Sequence, residues 1–459
     1  MKRANLFITV LFVAFSLQAK AQTSQPLKLS GYLQTDQRIL TKSPNDWVWN
    51  ENRLSLQLEK KISGKAKFYS EVWLRNIGIP KVTTASDLYN KGIIDPWNLE
   101  IREAYVQLYG FLTKNLDVTI GRQRIAWGTA DKINPTDNLN PYDFEDILDF
   151  GRHRGSDALN LHYWLSANAS FQVVYLPFFQ PDNLPIGIFA DIFSSPVNLS
   201  FPEGMTLQNI TTRVNAPKYN LKEGSTLGVK YKGMISSFNF SLSYVWGWDG
   251  LPMLTDNTFT LADTLGGVNI NSILSYHRRH IFGADLAGNI GGVGVWAEAA
   301  CFVPVNEVVM TTDLSALFPG TPYPVIYRST ELKKQAYFRY VVGGDYYFKN
   351  NGYLNVQFLH GFVNESGRGN LNDYLFLRYE QKFFNDKFKI CPLSGAVVVS
   401  NWHDIKHNYA IVYMPEISYM ATENTEISVS GLLFNGKGND LFASFNGYDM
   451  LLFKMKYSF

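Results

Sequence analysis

The chain has 459 residues, of which 15% are aromatic and only 18% are charged, and its formal net charge is +2. Soluble domains carry about a quarter charged residues, so this composition argues against a set of soluble domains, and the near-neutral charge gives no reason to expect nucleic acid as a partner. The mean hydropathy is −0.12, and no run of about 20 apolar residues follows the N-terminus, which argues against membrane-spanning helices. Apolar content without apolar runs is typical of alternating strands.

The N-terminus has the pattern of a secretory signal peptide. Lys2 and Arg3 form its basic start, residues 6–17 its apolar stretch and Ala19-Lys20-Ala21 its cleavage site, in the order that signal peptides share. We therefore predict that residues 1–21 are a signal peptide and that residues 22–459 form the mature domain. A retained anchor is the alternative, and it is disfavoured because the apolar stretch is too short to span a bilayer.

Period-two alternation then recurs in segments of roughly ten to fourteen residues, the length that crosses a bilayer as a tilted strand. The first half of the chain contains segments 27–40, 48–62, 64–78, 99–111, 114–126, 156–166, 168–178, 224–234 and 236–248. The second half contains segments 269–289, 291–304, 333–349, 352–364, 371–385, 386–400, 405–421, 422–435 and 446–459. The pattern thus predicts about eighteen strands.

The connections between these segments alternate between short and long. Short turns are predicted near residues 63–64, 113–115, 167–168, 235–236, 291–292, 350–352, 385–386 and 423–424, and several contain the Gly, Asn or Asp that hairpins need. Longer connections lie at roughly 79–98, 127–155, 179–223, 249–270 and 305–332. This asymmetry predicts periplasmic turns and extracellular loops. The fold class is therefore all-β, a single transmembrane antiparallel up-and-down barrel in the outer membrane.

The two faces of single strands support this division. Phe238, Phe240 and Leu242 alternate with Asn239 and Ser241, as expected where one face meets lipid.

The last strand alternates in the same way and ends on an aromatic residue, Phe459. It resembles the closing strand of outer-membrane barrels, and this resemblance implies that the barrel-assembly machinery is a partner that reads Phe459.

About sixteen to eighteen strands enclose an aqueous channel unless loops block it. The inward charges predicted from the alternation are Arg53, Lys67, Arg75, Lys230, Arg339, Arg378, Glu59, Glu71, Glu103, Asp285, Glu298, Asp345, Glu380 and Glu416. Their signs are mixed, so they favour a transverse field suited to polar or zwitterionic solutes over a selective ring of one sign. The alternative, equally open, is that they pair across the wall and only keep the lumen wet. Arg53, Glu71, Arg75, Arg339, Arg378 and Glu380 are candidate pore-lining residues.

Residues 121–155 differ from the rest of the chain. They begin with Gly121-Arg122-Gln123-Arg124 and continue through Trp127-Gly128 into two Asn-Pro units, at 134–135 and 140–141, followed by acidic residues 143–149 and basic residues 152–154. The Asn-Pro units favour successive turns, and the opposite charges predict a self-paired loop. The strand phase would point Arg122 and Arg124 at lipid, so we predict a β-bulge at Gly121 that turns both inward.

This motif, together with Leu176-Pro177-Phe178-Phe179 and the Pro-rich stretch up to Pro185, resembles an uncharacterised porin-like family of outer-membrane barrels that is loosely related to alginate-export porins. The resemblance spans residues 121–185 and implies a channel or an export component, without catalytic residues. By analogy, the candidates for a constriction or an inward-folded loop are Arg122, Arg124, Trp127, Asp131 and Asp137. The alternative is that these residues only brace that loop.

Three functions follow from these patterns. The first is a channel for small polar or amphipathic solutes, and the second is the outer-membrane component of a lipid or polysaccharide export route. The third and least favoured is a barrel-housed hydrolase, because His403, Asp404, His407, His277 and His280 lie in predicted loop or strand rather than on one helical face. We expect no enzyme activity and no cofactor or metal. The expected partners are outer-membrane lipid and a small solute. A homotrimer and a bond between Cys301 and Cys391 are left open.

Overall fold

A computed structural model of the protein describes residues 26–42, 46–149, 151–193, 204–263, 266–318 and 320–459, and the predicted signal peptide lies outside them. The described residues form twenty-four strands. The first twelve are β1 (Lys28–Leu40), β2 (Trp47–Ser63), β3 (Ala66–Ile77), β4 (Trp97–Leu108), β5 (Leu116–Gln123), β6 (Ser156–Ser166), β7 (Ala169–Leu176), β8 (Thr206–Asn215), β9 (Thr226–Ile235), β10 (Phe238–Trp248), β11 (Met253–Leu261) and β12 (Gly267–Ser275). The others are β13 (Arg278–Ile290), β14 (Val293–Pro304), β15 (Val308–Asp313), β16 (Ile326–Leu332), β17 (Tyr337–Tyr347), β18 (Gly352–His360), β19 (Asp373–Phe383), β20 (Phe388–Val399), β21 (Tyr409–Tyr413), β22 (Glu416–Thr422), β23 (Thr425–Lys437) and β24 (Met450–Ser458). Two short helices, α1 (Lys91–Ile94) and α2 (Ile188–Phe193), lie in connections.

Eighteen antiparallel strands close into one barrel. Their order around it is β1 to β7, β9, β10, β13, β14, β17 to β20, β21 with β22, β23 and β24. Strands β21 and β22 are two halves of one strand, both paired with β20 and β23. They are separated at Pro415, which has no N–H to continue the ladder. The barrel closes where β24 pairs with β1, for example Tyr457 with Leu33. The predicted barrel of about eighteen strands is confirmed.

The two faces of the wall follow the predicted alternation. Leu242, Phe338 and Ile417 are more than half exposed on the outer face, whereas Arg339 and Ser418 on neighbouring positions are buried. An outer face of exposed apolar side chains is what a lipid-facing band requires. The core therefore lies inside the barrel, between the wall and the segments that fold into it.

The long connections contain a second sheet that the sequence analysis left as irregular loops. Strands β8, β11, β12, β15 and β16 form it in the order β16-β15-β11-β12-β8, with parallel pairs β11–β15 and β12–β8. The predicted segment 269–289 is consequently two strands, β12 in this sheet and β13 in the barrel. Among the described residues, no helix is long and apolar enough to cross a membrane.

The two cysteines are free. Cys301 pairs in register with the outward residues Phe282 and Phe338, whereas Cys391 is buried and its thiol lies 3.9 Å from a carboxylate oxygen of Glu380. They face opposite sides of the wall, so they form no disulfide in this fold.

Candidate functional site

Residues 124–155, described except for residue 150, connect β5 to β6 and fold into the barrel. We call them the inner loop. They contact β14 through Glu298, β1 through Arg38 and β7 through Gln172. These strands lie on different sides of the barrel, so the inner loop crosses the lumen.

Glu298 attaches the inner loop to β14. Its side chain is 2% exposed, and one carboxylate oxygen accepts hydrogen bonds from the Thr136 N–H at 2.7 Å and hydroxyl at 2.8 Å. The other oxygen accepts from the N–H groups of Thr129, at 2.9 Å, and Ala130, at 3.3 Å. A buried carboxylate with four donors on one segment is a strong local anchor.

Four arginines on neighbouring strands attach the opposite side. We call them the basic ladder, and they are Arg38 on β1, Arg53 on β2, Arg75 on β3 and Arg102 on β4. Three of them donate to acidic residues of the inner loop: Arg38 to Asp146 at 2.8 Å, Arg75 to Glu145 at 2.6 Å and Arg102 to Asp143 at 2.8 Å. The ladder therefore neutralises the acidic half of the inner loop.

Tryptophans lie between the guanidinium groups of the ladder. The Arg53 and Arg102 groups each lie 4.1 Å from the ring centre of Trp73. Arg38 lies 4.7 Å from the ring centre of Trp49. Cation–π contacts of this kind strengthen when water is excluded, so the ladder is a rigid and largely dry wall.

The carboxylates that meet the ladder stay ionised. Burial raises the pKa of Asp143, but Arg152 and Arg102 outweigh it and hold the pKa at about 2. Burial opposes ionisation of Asp146 as well, and Arg38 again holds the pKa of that carboxyl below its usual range. Opposite charges at hydrogen-bond distance stabilise the ionised form in this way.

The inner loop is also braced internally. Arg124 donates to Asp137 at 3.0 Å, and Asn140 accepts from the N–H of Ile125 at 2.6 Å. Burial lowers the pKa of His153 to about 4, so this imidazole is neutral at pH 7. Arg152 pairs with Asp143 at 3.1 Å. The predicted self-pairing of residues 143–149 with 152–154 is therefore only part of the arrangement, because the ladder shares the same carboxylates.

Trp127 connects the inner loop to a further part of the wall. Its indole N–H donates to Gln172 on β7 at 2.9 Å, and the Lys230 ammonium on β9 lies 5.6 Å from its ring centre. Its side chain is buried, and Leu139 belongs to the same apolar cluster. Trp127 thus acts as a packing anchor in this structure.

A cavity of about 170 Å³ remains between the inner loop and strands β17 to β23. Asp131 and Ile133 of the inner loop line one side, and the wall lines the other. Its apolar wall residues are Val341, Leu359, Phe376, Val412, Leu432 and Phe442, and its polar ones are Asn355, Gln357, Arg378 and Ser394. Of the predicted site residues, Asp131 and Arg378 therefore meet at one cavity.

Arg378 keeps a third of its side chain exposed while it pairs with Glu380 at 3.1 Å and Glu416 at 3.6 Å. It is one of two cations that line this cavity, the other being Lys132 of the inner loop. With Glu380 and Glu416 beside Arg378, this part of the lumen carries charges of both signs, as the sequence predicted.

The other predicted residues lie in the wall away from the cavity. Arg53 pairs with Glu51, and Glu71 accepts from the Trp73 indole at 2.7 Å. Arg75 is 1% exposed and contacts three carboxylates. The side chain of Arg339 is buried, stacks on Phe302 and donates to Ser366 at 3.2 Å. Arg53 and Arg75 thus pair with carboxylates, whereas Glu71 and Arg339 are held by uncharged hydrogen-bond partners.

The prediction that a bulge at Gly121 turns Arg122 into the lumen is wrong. The pairing of β5 continues without a register shift on both sides of Gly121, so no bulge is present. Gly121 has a φ of +122° and a Cβ there would meet the Ala104 carbonyl oxygen at 2.4 Å, which explains the glycine without a bulge. Gln123 points into the lumen, so strict alternation places Arg122 on the outer face beside Asp157.

Sequence reasoning missed the residues that do most of the anchoring. Arg38, Arg102 and their acidic partners in the inner loop were not named as candidates, and Glu298 was named only as an inward charge. Arg38 occupies an inward position of β1, and that phase is the signal that could have found it. Arg102 has no such signal, because the pairing of β4 with β3 skips it and it faces inward together with its neighbour Glu103.

The histidines that suggested a hydrolase contact different partners and do not form one site. His407 pairs with Asp404 at 2.8 Å, and both side chains are about half exposed. His277 lies instead near Asp249 at 3.4 Å. No group of three or more metal-binding side chains is found within the described part of the chain.

No protein-family model matches the chain, and a search of curated proteins finds no match. Solved structures do match. OccAB4 of Acinetobacter baumannii has a TM-score of 0.50 and 9% identity, covering 94% of this chain and 97% of that one. Salmonella typhi OmpF, solved with daunomycin, has a TM-score of 0.41 and 11% identity over 95% and 100%. Vibrio cholerae OmpT without its loop L8 has a TM-score of 0.41 and 9% identity over 95% and 99%. At such identities the likeness concerns the fold alone.

Proposed function

We propose that this chain forms a channel in the bacterial outer membrane through which small polar or amphipathic solutes pass. The outer face of the closed barrel is apolar, as a bilayer requires. Eighteen strands are enough to enclose an aqueous lumen. The fold likeness to OccAB4 supports the same architecture.

The observation that carries the proposal is the inner loop. A segment that crosses the lumen and is held on opposite sides, by Glu298 and by the basic ladder, leaves only a limited passage. Such a segment sets an upper size for what passes, because its anchors are buried and hydrogen-bonded. The cavity beside it is the passage that we assign.

The lining of that cavity indicates the class of solute. Its apolar residues lie on the side of the long loops, such as Leu359 near the end of β18 and Phe442 in the connection between β23 and β24. Its polar residues, such as Asn355 and Arg378, lie nearer the short turns. A solute with one apolar and one polar part fits both halves.

Charge selection is assigned to Arg378 with Glu380 and Glu416. The basic ladder is saturated by carboxylates, so it fixes the inner loop and leaves little net field. Arg378 is partly exposed at the cavity and is the wall charge that a passing ion meets there, opposite Asp131 and Lys132 of the inner loop. This arrangement supports modest selectivity rather than strict exclusion of one sign.

Conductance in planar lipid bilayers tests the proposal. We expect steady openings of small unitary conductance, and liposomes with the protein should swell in small sugars or amino acids but not in large oligosaccharides. A barrel that migrates as folded on gels but stays electrically silent would contradict the proposal and favour the export role. We further propose that the chain is not an enzyme, and a homotrimer remains a prediction.

A further inference from the structure

The barrel wall has a gap between β4 and the strand that follows it. Strand β3 pairs with β4 along its whole length, from Trp97 to Leu108. Strand β5 pairs with β4 only from Ala104 to Leu108. Residues 97–103 of β4 therefore form a strand edge that no other barrel strand covers in the described part of the chain.

The gap encloses a cavity of about 680 Å³, within the size range of small-molecule sites. We call it the wall notch, and its lining includes Leu99, Ile101, Ala104, Arg122, Arg154 and Asp157. Below it, Gly155 lies close against the Arg102 carbonyl oxygen. The wall is thus closed at the base of the notch and open above it.

The notch is lined from both sides of the wall, by the inward residues Glu100 and Arg102 and by the outer-face residues Leu99 and Ile101. Trp97, Leu99 and Ile101 are exposed apolar residues on the outer face, and they alternate with the inward residues Glu100 and Arg102. Unpaired backbone groups in hydrocarbon cost several kcal/mol each, which is why barrels close completely. An edge beside these residues needs a polar occupant.

The charges of the notch specify an anion. Arg122 makes no hydrogen bond or ion pair within the described part of the chain, and its Nε is enclosed without an acceptor. Arg154 donates to the Pro181 carbonyl oxygen, while its own Nε also lacks a partner. Burial, with Arg102 and Arg122 nearby, lowers the pKa of Arg154 in spite of the opposing effect of Asp143 and Asp182. Both guanidinium groups line the notch, and neither is in an ion pair within 4 Å among the described residues.

Acidic residues do not pair with these two guanidinium groups. Glu100 is already paired with Arg75 and Arg102. Asp157 lies opposite Arg122 in the ladder of strands but is in no ion pair within 4 Å among the described residues. Asp143 and Asp182 act on Arg154 from farther away, but Asp143 is shared with Arg102 and Arg152. Among the described residues, no carboxylate oxygen lies within 4 Å of the Arg122 or Arg154 guanidinium group.

We propose that the wall notch binds the anionic headgroup of a membrane lipid, whose phosphate oxygens accept from Arg122 and Arg154 and whose acyl chain lies along Leu99 and Ile101. The proposal rests on the outer-membrane location given above. Guanidinium groups match phosphate oxygens in geometry and charge. An arginine on the lipid face is tolerated best near the headgroup level, which is where a phosphate is available.

Lipid retention tests the proposal. The full mature chain is placed in phosphatidylcholine nanodiscs with a minor fraction of phosphatidylglycerol, released into detergent, and examined by native mass spectrometry. We expect phosphatidylglycerol to be retained by the wild type, and the double variant R122Q/R154Q to bind it roughly tenfold more weakly. The double variant R213Q/R328Q removes the same charge from exposed positions of β8 and β16 in the second sheet and should retain phosphatidylglycerol like the wild type.

Two further arms separate the alternatives. A104W fills the base of the notch without changing charge and should also reduce retention. Equal retention by R122Q/R154Q and wild type, or displacement of the lipid by millimolar inorganic phosphate alone, would overturn the proposal. Conductance is recorded in planar bilayers in parallel, and A104W and R213Q/R328Q, which lie outside the inner loop, should conduct like the wild type. A silent wild type that still retains lipid would count against the channel and not against the notch.

Discussion

Replacing Glu298 by alanine should release the inner loop. The carboxylate accepts four hydrogen bonds from Thr129, Ala130 and Thr136, and its removal leaves three backbone N–H groups without their acceptor. A hydrogen bond to a charged group contributes about 1.5–3 kcal/mol. Water in the lumen can replace part of this, so we expect the docked state to lose about 3 kcal/mol in total, which raises the undocked population roughly 100-fold.

Single-channel recording and liposome swelling measure this effect together. E298A should show frequent openings of higher conductance and admit larger oligosaccharides, and protease added to liposomes should cut the inner loop faster. E298Q keeps the size and one acceptor oxygen and should fall between E298A and the wild type. E59Q is the matched control, because Glu59 faces the lumen near the short turns and, among the described residues, is in an ion pair with Lys67 alone, at 3.9 Å. Wild-type conductance, size limit and protease resistance in E298A would refute the inner loop as the constriction.

Three further predictions concern single residues. R75M removes the cation that Glu51, Glu100 and Glu145 share. Each carboxylate keeps a second arginine, so the free energy of unfolding should fall by about 1.5–3 kcal/mol, seen as a lower melting temperature on heat-modifiability gels. K218M, at an exposed pair, should leave it nearly unchanged. R378Q should move the reversal potential in a salt gradient toward cation selectivity, and an unmoved potential would exclude Arg378 from the conducting path. The pKa of His153 is about 4 in the docked loop, below its ordinary 6.5. The released loop therefore binds a proton more readily than the docked loop. The stability of the docked loop should be constant above pH 6.5 and should decrease as the pH falls from 6.5 to 4. H153Q should abolish that part of the acid sensitivity of loop proteolysis, and an unchanged pH profile would contradict the assignment.

Strand positions and faces could be predicted because a barrel wall imposes one local rule, alternation, on every strand. Phe338 beside Arg339 already shows which side each residue faces. The sequence predicts β12 and β13 as one strand because both alternate. No local pattern distinguishes a strand of the second sheet from a strand of the barrel wall. Pairing between distant segments, such as β8 with β12, has no local signature.

The candidate site could be predicted only in part, because contacts between distant segments leave no local pattern in the sequence. The unusual composition of residues 121–155 marked the inner loop, but its partners, such as Arg38 for Asp146, are separated by more than a hundred residues. The sequence prediction placed Arg122 in the lumen because an arginine that faces lipid costs free energy, and a bulge at Gly121 would have turned the side chain away from lipid. The structure keeps the regular strand and gives the arginine a polar recess instead.

The junction between β24 and β1 dictates the order of assembly. Gly31 and Phe459 exchange backbone hydrogen bonds at 2.9 and 3.0 Å, so one side of the first strand stays unsatisfied until the last residue of the chain arrives. Contacts this distant in sequence form slowly, and an open edge in the meantime can pair with other chains. A nascent copy of this protein therefore needs protection throughout its synthesis. Deleting residues 450–459, which are β24 and Phe459, should leave two open edges and an aggregating product.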